Sequence, residues 1–190
     1  MIKRVSLLII VFTFMIGSTT YAYNEKPSSD ERVPFEKMYF EYGGYKTVED
    51  ALSECNRHFR KKITLPFKLP PIPFTHQLAR CNQHGGVVND YFEIEYLNEL
   101  QGSNNHYMIW VNPSGHRKGF PRKSNVIRIY ELENGEKAVY GTTPTLGDRP
   151  PAFDVLRFEK NGLQYILSVD KRVEDKVTAY VLVDIANSIK

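Results

Sequence analysis

The chain has 190 residues, 25 Lys and Arg against 22 Asp and Glu, and only two cysteines. That length is enough for one domain with a proper core. So even a charge balance gives no support to a general polyanion binder, and no nucleic-acid motif accompanies it.

The first residues, "MIKRVSLLIIVFTFMIGSTTYAYN", have the layout of an export signal: Lys3 and Arg4, an apolar run from Val5 to Ile16, then Thr20-Tyr21-Ala22 as a small-x-small cleavage box. The apolar run is shorter than the ~20 residues a spanning helix needs. Residues 1–22 are therefore expected to be a cleaved signal peptide, and the mature protein a secreted, non-spanning one. No Cys lies near the box, which excludes a lipid-modified N-terminus. Cleavage leaves 168 of the 190 residues and removes two of the 25 basic side chains, so the mature net charge falls to near +1.

Residues 23–45 read as a leader. "YNEKPSSDERVP" is polar and aperiodic, and the aromatic stretch after it is broken by Gly43-Gly44. That stretch is expected to lie across the surface or to form a short edge strand. Residues 46–190 then form one domain. A helix is predicted over about 47–62: Thr47 is a good N-cap with Asp50 three residues on. Val48, Ala51, Leu52, Cys55 and Phe59 make its apolar stripe. Arg60, Lys61 and Lys62 are placed in its last turn, where they complement the helix dipole.

"ITLPFKLPPIPF" has four prolines in eight residues, which forbids a helix or a central strand and leaves an extended connector. The middle of the chain reads as seven strands with turns: "FTHQLARCN", "DYFEIEYL", "HYMIWVN", "VIRIYEL", "KAVYGTT", "FDVLRFEK" and "LQYILSVD". Asn161-Gly162 between the last two is the strongest hairpin signal, because both positions of a type I′ turn need positive φ. It sets Lys160 opposite Leu163, Phe158 opposite Tyr165 and Leu156 opposite Leu167. That face is predicted to be core. The other face carries Arg157, Glu159, Gln164 and Ser168 and is predicted mostly wet, with Val155 and Ile166 as exceptions. A final helix over about 178–189 brings Val181, Leu182, Ile185, Ala186 and Ile189 onto the apolar side. Strands in the middle and helices at the flanks predict an α+β fold with a mainly antiparallel, curved sheet.

Cys55 and Cys81 form either a disulfide, which export permits, or two buried thiols. A bridge closing that loop would stabilise by roughly 3.5 kcal/mol in the chain-entropy model.

Candidate chemistry is sparse. No G-x-S-x-G occurs; a hydrolase would have to use Ser114, His116 or a carboxylate such as Asp90. The five histidines, His58, His76, His84, His106 and His116, lack metal-ligand spacing, and the tightest mixed group is His76, Cys81 and His84. No metal or cofactor is expected. The loop "GHRKGFPRKSN" gathers Arg117, Lys118, Arg122 and Lys123 without an acid. It is either a solvated tip or a contact for an anionic envelope component such as wall polymer or lipid headgroups. The strand aromatics, Trp110 among them, are assigned to packing and cross-strand pairs.

The closing stretch "LRFEKNGLQYILSVD…LVDIANSIK" resembles the C-terminus of the Gram-positive extracytoplasmic domain-of-unknown-function 4367 family, of the lipoprotein-carrier-like class. Its carriers here are Gly162, Tyr165 and Ile185-Ala186-Asn187-Ser188-Ile189. "ALSECNRHFRKKITLPFKLPPI" is similar to the helix and extended entry of that family, and "YELENGEKAVYGTT" to its central hairpin. The resemblance spans residues 46–189. It implies a half-barrel-like domain and supplies no catalytic residue. The expectation is a non-enzymatic, secreted domain that binds or senses an envelope lipid, wall polymer or protein. The rivals are an unrecognised hydrolase and a purely structural envelope protein.

Overall fold

A computed structural model describes residues 37–83, 90–100, 106–114, 122–144 and 150–190. The expected export signal, residues 1–22, lies outside the described residues, as does the expected leader up to residue 36. Helix α1 (Val48–Phe59) opens on Thr47, whose Oγ1 accepts from the Asp50 amide at 3.2 Å. Val48, Ala51 and Cys55 of the predicted stripe are buried. The helix is shorter than the expected 47–62. Arg60 adopts a left-handed conformation with φ 53°, and the Asn56 side chain takes the Ile63 amide at 2.7 Å, which turns the chain away. Lys61 consequently leaves the helix and donates to the Gly162 carbonyl at 2.7 Å.

The proline-rich stretch is an extended connector that lies against the core through Ile63 and Ile72. Its Thr64 amide donates to the Tyr165 hydroxyl and its Lys68 amide to Ser188 Oγ. Seven strands follow: β1 (His76–Asn82), β2 (Tyr91–Leu97), β3 (Tyr107–Pro113), β4 (Val126–Glu131), β5 (Lys137–Thr142), β6 (Phe153–Lys160) and β7 (Leu163–Asp170). They form one sheet in the order β1-β2-β3-β7-β6-β5-β4, antiparallel throughout. Helix α2 (Ala179–Asn187) closes the chain. The fold is α+β.

The hairpin register is the predicted one: Lys160 opposite Leu163, Phe158 opposite Tyr165, Leu156 opposite Leu167. Asn161 and Gly162 have φ 54° and 70°, as a type I′ turn requires. Following the pairing across the sheet, Ala79, Ile94, Ile109, Leu167 and Leu156 share one face. Both helices pack there, with Leu182, Ile185, Ala186 and Ile189 of the α2 end in the same core. Val181 is only half-buried at its margin. Cys55 on α1 and Cys81 on β1 are joined by a disulfide, their Cα atoms 5.4 Å apart.

One expectation for the hairpin is overturned in part. On its second face Arg157 is half-buried and Glu159 exposed, as expected, but Gln164 and Ser168 are buried, as are all eight residues of β7. The reason is β7's place in the order. Flanked by β3 and β6 at the middle of the sheet, it holds its second-face side chains between those of its neighbours, such as Trp110, Met108 and Arg157. These shield them edge to edge, whereas a hairpin considered alone lacks one of these neighbours.

Residues 38–42 form a π-helical turn rather than an edge strand, and Lys46 makes an isolated bridge to Ala79. The packed part of the chain thus begins before residue 46, with Tyr45 buried against Leu78 and Leu97 on the face opposite the helices.

Candidate functional site

The face that the helices leave uncovered carries the most distinctive surface. The pairing places Met108 and Trp110 of β3, Ile166 and Ser168 of β7, and Phe153 and Val155 of β6 side by side there. With Thr143, Pro144, Pro150 and Ala152 from the β5–β6 connection they line a groove of about 410 Å³. Among the described residues no ionisable side chain lines it. The size falls within the range of small-molecule sites, which are apolar with few polar groups. Local sequence explains the wall: "YMIWV" is apolar at every position, so a strand that gives Tyr107, Ile109 and Val111 to the core still presents Met108 and Trp110 behind it.

The same face continues onto β1 and β2, where a polar cluster lies under the 38–46 segment. The Tyr45 Oη sits 2.5 Å from Glu93 Oε1 and 2.5 Å from Glu95 Oε1. Arg80 stacks on the Tyr45 ring, 4.6 Å from its centroid, and reaches both Glu93 oxygens at 3.2 and 3.3 Å. It also donates to the Gly43 carbonyl at 3.2 Å. Burial, above all, pushes the Glu95 carboxyl above the usual carboxylate range; Tyr45's hydrogen bond opposes this, and Glu93 reinforces it. Burial likewise pushes the Tyr39 hydroxyl up to about 12, assisted by Glu95. The two acids stand two residues apart on one strand, hence on one face, which is the only signal the sequence offered for them.

The residues singled out from sequence are scattered. Among the described residues no three His, Cys, Asp or Glu side chains converge as metal ligands. Of the His76, Cys81 and His84 group, Cys81 is in the disulfide and His84 lies outside the described residues. Ser114 Oγ is buried with no hydrogen-bond partner among the described residues, and His116 lies outside them. Asp90 does face an imidazole, His58 on α1, with Nε2 to Oδ2 at 2.7 Å. No hydroxyl is recorded against His58 among the described residues, and Cys55, one turn earlier, is oxidised. Arg122 and Lys123 are exposed at a short 3-10 turn, while Arg117 and Lys118 lie outside the described residues.

Trp110 is half-buried and lines the groove, so its assignment to packing alone accounts for one side of the ring and misses the other. The signal was the pair of exceptions on the second hairpin face: Val155 and Ile166 are groove residues. Among the described residues no helix is long and apolar enough to cross a membrane. Comparisons with family models, with curated proteins and with solved structures returned no match.

Proposed function

We propose that this is a secreted, non-enzymatic domain that binds the apolar part of an envelope amphiphile, an acyl chain, on the helix-free face of its sheet. The observation that carries the reading is the groove of about 410 Å³ walled by Met108, Trp110, Phe153, Val155 and Ile166, with no ionisable lining among the described residues. Apolar area removed from water contributes ~25 cal/mol per Å², and no charge among the described lining residues opposes it. The export signal and the family resemblance agree with a role outside the membrane.

Trp110 is the only tryptophan in the chain, so its fluorescence reports the groove directly. A bromine-labelled fatty acid below its micelle concentration should quench it saturably, and Met108→Glu should weaken that binding at least tenfold. Quenching that rises linearly without saturation, identically in the variant, would discard the groove. The basic side chains belong to the same proposal as a headgroup contact. Reversing Arg122 and Lys123 to Glu should lower retention on anionic vesicles, and unchanged retention removes them from it.

A second reading, a hydrolase of unrecognised type, draws on the His58–Asp90 pair, since a carboxylate-held imidazole is the base of acyl-transfer triads. It requires that His58→Ala abolish turnover of activated esters. Equal turnover by the variant and the parent excludes it.

A further inference from the structure

The cluster beneath residues 38–46 has a proton count that its geometry forces. Tyr45 Oη approaches one oxygen of Glu93 and one of Glu95 at 2.5 Å each, and each contact needs a hydrogen between its oxygens. The hydroxyl supplies one. The other must come from a carboxyl. Arg80 lies against both oxygens of Glu93, which assigns the negative charge there and the proton to Glu95.

We propose that the Met38–Lys46 segment is a proton-dependent latch, seated on the sheet only while Glu95 stays protonated beneath Tyr45. The inference does not rest on what the groove binds. Without that proton one of the two contacts becomes a repulsion between unshielded oxygens, and a second charge is buried beside Glu93. Among the described residues no free cation offsets it, and the hydrogen bonds that Tyr45 and Tyr39 make to Glu95 do so only in part, because burial outweighs them. From the segment, Tyr39 and Tyr45 face the pair; from β1, Arg80, already engaged; from β2, Tyr91. From β3 come only Met108 and Trp110, cross-strand from Glu95 and Glu93 and uncharged. The other charges of the segment are used elsewhere, Lys37 with Glu41 and Lys46 with Glu54. The seat is also tight: a Cβ at Gly43 would lie 2.7 Å from the Tyr39 carbonyl and 2.9 Å from the Tyr45 ring, so the segment is fitted as a unit. Because Met108 and Trp110 also wall the groove, lifting the segment uncovers the β1–β2 surface beside it.

The test uses the mature chain, with Glu95 titrated by carboxyl carbon NMR and exchange of the Lys46 amide, which donates to the Ala79 carbonyl at 2.7 Å, corrected for intrinsic rates. Protection at Lys46 should fall at least tenfold as Glu95 loses its proton, while the amide of Ile109 stays protected. Glu95→Gln, neutral at every pH, should hold Lys46 protected throughout the range. Tyr45→Phe should leave it poorly protected throughout. The same pH profile in the parent and in Glu95→Gln, or full protection in Tyr45→Phe, would overturn the latch.

Discussion

Asp154 and Asp170 stand at one end of the β6–β7 hairpin and are tuned in opposite directions. Burial raises Asp154 above the ordinary carboxylate value, and Lys171 at 3.2 Å only partly offsets it. For Asp170 burial pulls the same way, but hydrogen bonds from the Arg172 side chain and amide outweigh it and hold the carboxyl low. A carboxyl lowered on folding contributes stability above its unfolded value, lost as pH falls through the folded one; a raised carboxyl contributes below its unfolded value and loses that as pH rises. Asp170→Asn should therefore cost about 1 kcal/mol at neutral pH, the scale of a lost cap. Its penalty should begin to shrink as pH falls past the ordinary Asp value of 3.8 and vanish only below the lowered folded value, as denaturant titrations across pH would register. Gly162 offers a second single-residue test. At φ 70°, where a Cβ is strained, Gly162→Ala should destabilise by roughly 1 kcal/mol.

Helix α1 is pinned by three devices at the scale of an element: the Thr47 cap, the apolar stripe and the bridge from Cys55 to Cys81. Replacing both cysteines by serine should lower unfolding free energy by roughly 3.5 kcal/mol in the chain-entropy model, and reductant should do the same to the parent and nothing to the variant. Elements of this kind were legible in sequence because their rules act between near neighbours. A Thr-x-x-Asp start, an apolar stripe at helical spacing and Asn-Gly between alternating strands each specify geometry within a dozen residues. Where α1 ends was not legible. Arg60 turns left-handed under contacts such as Asn56 to Ile63, and nothing in "FRKK" announces that.

The strands of the described residues form one open sheet, and its two edges are treated differently. The β1 edge meets Lys46 through the bridge to Ala79. The β4 edge shows no partner strand among the described residues, and it leaves Ile127 and Ile129 63% and 58% exposed. A long apolar edge invites pairing with another chain, and a lysine there blunts it. Ile129→Lys should leave the unfolding midpoint nearly unchanged while raising the concentration at which light scattering first detects aggregates.

The order of the strands is what local rules could not contain. Seven strands and a terminal hairpin follow from alternation and turn chemistry, but the seating of β3 against β7, which shields β7's side chains from the edge, joins segments some fifty residues apart, Asn112 with Gln164 for example. The candidate site depends on that seating. Met108, Trp110, Val155 and Ile166 become one groove only when β3, β7 and β6 lie side by side, and Tyr45 finds Glu93 across 48 residues of chain. By itself the sequence determined the α+β class, the hairpin register and the two helices, because backbone preference and side-chain period are local properties. Tertiary structure alone decided which apolar residues on the other face wall a groove, because a two-sided apolar strand is the same string of letters whichever neighbours it acquires.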